Sequence, residues 1–201
     1  MRNLLFSVLV ATGAVWTSHV HASDYAWWLK EIRVGAFQQD AEIVEAFTDA
    51  DVGDSAEDGV AINAELVFGA TVTDFSNFFF NPDPFIGVHV NTDGNTNFIY
   101  GGFAWNHTFE NGFFVEGTFG LAAHDGKLET PRDGTGAFIL DGRAALGTRV
   151  LFRESIDIGY EFENRHRITA HISHVSNGGF FGTANEGMDF VGLRYTAILD
   201  E

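Results

Sequence analysis

Alternating polarity recurs along most of this chain and is the strongest constraint on its fold. In the segment 60–68 the even positions are apolar, from Val60 through Phe68, while Asn63 and Glu65 occupy the other parity. Successive side chains of a β-strand point to opposite faces of a sheet, so this segment forms one apolar and one polar face. The same pattern returns in later segments, and we therefore expect an all-β protein.

The longest alternating segment, residues 143–162, places Arg153 and Asp157 on one parity and mostly apolar residues on the other. The parity does not slip at residues 153–155, which predicts one long strand instead of a hairpin. With this strand the count is eight, and an even number lets both termini of a bacterial barrel lie on the periplasmic side. The predicted strands are residues 30–37, 60–68, 85–91, 99–106, 113–121, 143–162, 167–176 and 188–199.

A sheet with one apolar face closes in one of two ways. A soluble lipocalin-like barrel turns the apolar face inward, whereas a transmembrane barrel turns it toward lipid. Export and aromatic residues typical of membrane interfaces favour the second arrangement, an eight-stranded antiparallel transmembrane β-barrel. These aromatic residues are Trp27, Trp28, Trp105 and Tyr195.

The N-terminus has the pattern of a secretory signal peptide, with Arg2, an apolar stretch at residues 4–16 and the small residue Ala22. We predict cleavage after Ala22, which divides the chain into a signal peptide (1–22) and an outer-membrane β-barrel domain (23–201). No apolar run is long enough for a membrane-spanning helix. The chain also has no Cys, which excludes disulfides and thiolate metal sites.

The formal net charge of -17 argues against a nucleic-acid partner. The segment 40–58 contains eight acidic residues, including Asp40 and Asp58 at its ends. The simplest interpretation is a solvated acidic loop. A divalent-cation site is the alternative, because carboxylate oxygens suit hard cations. The spacing matches no cation-binding loop, and we predict no metal and no cofactor.

The segment 174–179, His-Val-Ser-Asn-Gly-Gly, carries candidate catalytic groups. His174 and Ser176 share one face of a strand, about 6–7 Å apart. Their parity matches that of Ile168 and Ile172, which makes this the apolar, lipid-facing side. On the last predicted strand Asp189 also has the outward parity, and it could lie opposite His174.

A His, a Ser and a carboxylate on one face suggest nucleophilic acyl transfer. Asp189 would orient the imidazole, His174 would take the Ser176 proton, and Ser176 would attack a carbonyl. On a lipid-facing surface the substrate must be an ester of a lipid. The alternative is that His174 and Ser176 are ordinary polar residues at the headgroup level. Candidate donors to the oxyanion are the Asn177 amide and the backbone N–H groups near Gly178 and Gly179.

These residues resemble the lipid A 3-O-deacylase family. The resemblance lies in the segment 174–179, in Asn185-Glu186-Gly187, in an acidic residue on the final strand and in the segment 147–155. It implies an eight-stranded outer-membrane barrel that hydrolyses the 3-position acyl ester of lipid A, the lipid of lipopolysaccharide. It also implies that His174 is the base, that Ser176 is the nucleophile, and that Asn177 matches the family's Asn.

The third member of the triad departs from the family's pattern. Well-known members use Glu, whereas this chain offers the shorter Asp189, and strict spacing would reach Met188. Glu154 is a rival, because a three-residue turn at residues 163–165 would place it across from His174 on the outward face. The other interpretation of Glu154 is a structural carboxylate linked to a neighbouring arginine, Arg149 or Arg153.

The sequence leaves three functions open. The leading hypothesis is a serine-type esterase of the outer membrane that removes an ester-linked acyl chain from lipid A. The second is a non-catalytic structural or adhesive barrel that interacts through its acidic loop. The third is a calcium-dependent outer-membrane phospholipase that uses the acidic segment as its cation site.

Overall fold

The computed structural model describes residues 27–41, 57, 59–70, 80–129, 135, 143–180 and 187–199. Eight antiparallel strands follow one another in chain order and close into a barrel, as the alternation predicts. The strands are β1 (Trp27–Gln39), β2 (Gly59–Ala70), β3 (Asp83–Asn91), β4 (Phe98–Thr108), β5 (Phe113–His124), β6 (Val150–Phe162), β7 (His166–Ser176) and β8 (Met188–Ile198). Among these residues there is no helix with the length and apolar character needed to cross a membrane.

The apolar face of the sheet is on the outside of the barrel. Ile156 and Leu193 are 60% and 65% exposed, whereas Arg33 and Glu65 are each 2% exposed in the lumen. A soluble barrel has the opposite distribution. An outward apolar belt around a polar interior is the arrangement of a transmembrane barrel, and it excludes the lipocalin-like alternative.

Ion pairs fill the middle of the lumen. Arg33 donates to Glu116 at 2.6 and 2.8 Å, to Glu31 at 2.6 and 2.8 Å and to Glu65 at 3.0 Å. Arg194 lies 3.4 Å from Glu65 and continues the network toward β6. Buried charges are tolerated when each is paired and hydrogen-bonded, and here the pairs tie opposite walls of the barrel together.

The connections divide between two ends of the barrel. The upper end, called the mouth below, carries the connections 40–58, 92–97, 125–149 and 177–187. The lower end carries the connections 71–82, 109–112 and 163–165, together with the start of β1 and the end of β8. Transmembrane barrels have short turns at one end and longer loops at the other, and the mouth is the end that carries the longer connections.

The long strand predicted at residues 143–162 is correct through its middle and wrong at its start. No hairpin interrupts residues 153–155, but β6 begins only at Val150. Residues 144–146 enter the mouth instead, where Leu146 is 1% exposed. Gly147 has φ of 77°, a left-handed backbone conformation that ends the extended chain. Ala144, Ala145 and Leu146 are all buried, so the alternation of buried and exposed side chains that marks a strand is absent from these three residues.

The acidic segment 40–58 departs from the expected solvated loop at Glu57. This side chain is 1% exposed and accepts hydrogen bonds at the mouth. Residues 42–56 and 58, on which a cation site would depend, lie outside the described residues, as do the expected signal peptide and Asn185-Glu186.

Candidate functional site

His174 lies between two outward-facing carboxylates near the mouth. Its register partner on β6 is Glu154 and its partner on β8 is Asp189. The three-residue turn expected at residues 163–165 is present and sets the first of these pairings. The hydrogen bond goes to the second, because His174 Nδ1 lies 2.6 Å from Asp189 Oδ1. An ionised carboxylate only accepts, so Nδ1 donates and Nε2 carries the lone pair that a base needs.

The pair is partly shielded from its surroundings. The His174 side chain is 31% exposed, whereas that of Asp189 is 9% exposed. A charge-assisted hydrogen bond of this length is strong, and shielding strengthens it further. The imidazole edge therefore remains reachable from outside while the carboxylate that orients it is protected.

Gly187 packs against the His174 ring, a contact that sequence reasoning missed. It adopts φ of 70° just before β8, and a Cβ at this position would lie 2.9 Å from His174 Cε1. Both the backbone conformation and the space favour glycine. The available signal was its place in Asn185-Glu186-Gly187, immediately before the last predicted strand.

Ser176 is the last residue of β7 and lies on the same outward face as His174. Its register partner is Phe152 of β6. Within the described part of the chain no hydrogen bond joins Ser176 to His174, and residues two apart on a strand are separated by about 6–7 Å. Catalytic hydrogen bonds are often long without substrate and shorten when it binds.

Residues 177–179 form a tight turn directly after Ser176. Asn177 is 1% exposed; its Nδ2 donates to the Leu146 carbonyl at 3.3 Å, and its Oδ1 accepts from the Gly179 N–H at 2.8 Å. Gly178 and Gly179 have φ of 64° and 72°. The Asn177 amide thus contacts the interior of the mouth. Of the three expected oxyanion donors, the Asn177 amide and the Gly179 N–H are engaged by these bonds, while no hydrogen bond between described residues uses the Gly178 N–H.

Glu154 is exposed on the outward face, on the side of His174 opposite Asp189. The arginines that might have paired with it contact other groups. Arg153 lies in the lumen, 4.1 Å from the centre of the Tyr100 ring. Arg149 donates to the Gly126 carbonyl at 2.6 Å. The contacts of these two arginines therefore do not support a structural ion pair for Glu154.

An aromatic surface adjoins Ser176. The Phe152 ring stacks on the Phe119 ring with 6.2 Å between the ring centres, and it makes an edge contact with the Phe180 ring at 6.4 Å between centres. Phe180 follows the turn and is 76% exposed. This apolar surface suits a hydrocarbon chain beside the serine. Among the described residues, no group of three or more His, Asp or Glu side chains is placed to hold a metal ion.

Two solved structures are similar to this chain. The crystal structure of the outer membrane enzyme PagL superposes with a TM-score of 0.57 at 13% identity, covering 84% of this chain and 99% of that one. Neisserial surface protein A is 8% identical with a TM-score of 0.48, covering 87% and 100%.

The first of these likenesses shows the barrel fold. A search of curated proteins finds no match to this chain. The family model described as lipid A 3-O-deacylase (PagL) matches residues 83–197, more than half of the chain, from β3 into β8. The chain therefore belongs to the lipid A 3-O-deacylase (PagL) family.

Proposed function

We propose that this protein is an outer-membrane serine esterase that hydrolyses the 3-O-linked acyl ester of lipid A. The observation that carries the proposal is the 2.6 Å hydrogen bond between His174 and Asp189 on the lipid-facing surface, with Ser176 on the same face. Family membership supports lipid A of lipopolysaccharide as the substrate.

The reaction begins with Ser176 Oγ attacking the ester carbonyl while His174 Nε2 takes the hydroxyl proton. Asp189 holds the imidazole in the tautomer that can accept this proton and stabilises the imidazolium that forms. The Gly178 N–H donates to the oxyanion. The C–O bond to the sugar then breaks, and the sugar oxygen leaves with the proton from His174. Water releases the fatty acid from Ser176 by the same steps.

The position of the site supports a lipid substrate. His174 and Ser176 share their face with Ile168 and Ile172, which are 49% and 45% exposed. A polar pair on such a surface is costly in hydrocarbon unless it has a partner or a function. A substrate reaching this face arrives laterally, through the membrane, with its acyl chain against the aromatic surface around Phe152.

Mass spectrometry of lipid A from cells that express each variant tests the proposal. We expect wild type to release a 3-hydroxy fatty acid, and Ser176→Ala and His174→Ala to abolish the release. Ser173→Ala is the matched control, because Ser173 lies on the same strand but is 1% exposed in the lumen.

The barrel fold of each variant is checked by heat-modified mobility on gels. Undiminished release of the fatty acid by the Ser176→Ala variant would refute the serine mechanism. Chelator-sensitive hydrolysis of glycerophospholipids with lipid A untouched would instead indicate the phospholipase, and loss of function only on deleting the acidic loop would indicate the adhesive barrel.

A further inference from the structure

Glu57 is a buried carboxylate at the mouth that the proposed reaction does not use. It accepts hydrogen bonds from the backbone N–H and the hydroxyl of Thr96 at 2.7 and 2.9 Å, and from the Ala144 N–H at 3.1 Å. Its own backbone N–H donates to Asp40 Oδ2 at 3.0 Å. These contacts join three of the connections at the mouth. A buried carboxylate needs such donors, so Glu57 fixes the segments that supply them.

Segment 144–146 continues from Glu57 toward the serine. At one end the Ala144 N–H donates to Glu57 Oε1, and at the other the Leu146 carbonyl accepts from Asn177 Nδ2 at 3.3 Å. The Asn177 Oδ1 then accepts from the Gly179 N–H. The path of hydrogen bonds therefore ends in the turn that directly follows Ser176.

Apolar packing follows the same path. Leu146 and Val175 belong to one buried cluster, and each is 1% exposed. Val175 is the inward-facing residue between His174 and Ser176. The lumen side of the strand end that carries both groups is thus packed in the same core as segment 144–146, and a shift of that segment would be transmitted through close-packed contacts.

We propose that Glu57 and Asn177 are positioning residues for Ser176 and that they act through segment 144–146. The inference rests on the proposed serine esterase function. Neither side chain touches the substrate. Glu57 sets the position of the segment in the mouth, and Asn177 transfers that position to the turn that holds Ser176 and the Gly178 N–H.

The test measures kcat and KM of purified full-length protein in detergent micelles, with lipopolysaccharide as substrate. Glu57→Gln turns one acceptor oxygen into a donor that faces other donors. Asn177→Asp removes the donor to Leu146 and keeps the acceptor for Gly179. Each variant is expected to lower kcat about 10- to 100-fold, the cost of misplacing a catalytic group by about 1 Å, with KM nearly unchanged.

The double variant separates one path from two independent effects. Residues that act through one contact path show non-additive effects, whereas independent residues give multiplied losses. We expect Glu57→Gln combined with Asn177→Asp to lose no more than the more severe single variant. Losses that multiply would overturn the proposal, as would a change confined to KM.

Asp125→Asn is the matched control. Asp125 joins two connections at the same mouth, accepting from the Asn97 N–H and from Asn97 Nδ2, each at 2.8 Å, but it lies off the path. It should retain wild-type kcat. If Glu57→Gln fails to fold, Thr96→Val removes only the hydroxyl donor to Glu57 and should lower kcat in the same direction.

Deuterium exchange distinguishes failure of this inference from failure of the proposed function. Exchange of the 177–180 amides should rise in Glu57→Gln and stay unchanged in Asp125→Asn. Unchanged exchange in a folded Glu57→Gln variant would overturn the coupling, even if the enzyme deacylates lipid A. A wild-type protein that releases no fatty acid would refute the function, and the exchange result would still decide the coupling.

Discussion

Replacing Asp189 tests which carboxylate orients His174, the proposed catalytic base. The structure gives the bond at stake, His174 Nδ1–H donating to Asp189 Oδ1 at 2.6 Å. A hydrogen bond to a charged group contributes about 1.5–3 kcal/mol. Because each 1.36 kcal/mol in the activation free energy changes the rate about tenfold, Asp189→Ala should lower kcat/KM about 10- to 150-fold. Asp189→Asn should cost more, up to about 10⁴-fold, because its amide favours the tautomer whose Nε2 cannot accept the serine proton.

The assay is the rate of 3-hydroxy fatty acid release from lipopolysaccharide in micelles, for folded variants of equal concentration. Glu154→Gln is the comparison, since Glu154 occupies the equivalent position on the other side of His174. As an exposed charge it should change kcat/KM less than about fivefold. A loss with Glu154→Gln that equals or exceeds the loss with Asp189→Asn would refute the assignment.

Three further predictions concern the barrel and the contact between Gly187 and the His174 ring. Arg33→Met leaves three buried carboxylates without their shared partner and should lower the free energy of unfolding by about 3–5 kcal/mol in a urea titration. Ile156→Arg places a charge at the middle residue of β6 in the lipid-facing belt and should cost about 2–4 kcal/mol in the same titration. Gly187→Ala should lower the free energy of unfolding by roughly 1–2 kcal/mol because of its left-handed backbone. Its Cβ would also displace the His174 ring, so the rate of fatty acid release should fall. Gly94→Ala is the control, because Gly94 has φ of 83° and open space around it, so the variant should lose stability but keep its rate of fatty acid release. Equal rates in these two glycine variants would show that the ring contact has no role.

The barrel and the outward face of the site were predictable because both depend on a two-residue period. Parity fixes which side of the sheet a residue occupies, and one slip would reverse every side chain in a strand. Turn length then fixes register, which is why a three-residue turn sufficed to place Glu154 opposite His174. Asp189 carries the same parity, and the structure places it opposite His174 on the other side.

The mouth was not predictable, because its contacts join residues far apart in the chain. Ala144 and Leu146 continue the even apolar parity of the strand that follows, but Ala144, Ala145 and Leu146 are all buried, which shows that this run folds inward. Glu57 stands in a sequence of acidic residues, and nothing local distinguishes it from solvated neighbours. If the alternation of β7 continued for one residue beyond Ser176, Asn177 would face the lumen. The sequence alone does not show that strand geometry continues there, because a turn begins at this point.

Covalent labelling of the nucleophile tests the central claim most directly. Purified protein in micelles is treated with an alkyl fluorophosphonate, which modifies activated serine hydroxyls, and the site is located by peptide mass spectrometry. The serine mechanism predicts one adduct per chain on Ser176, with labelling strongly slowed in His174→Ala and unchanged in Ser173→Ala. An enzyme that deacylates lipid A while Ser176 stays unmodified, or that carries its adduct on another residue, would contradict it.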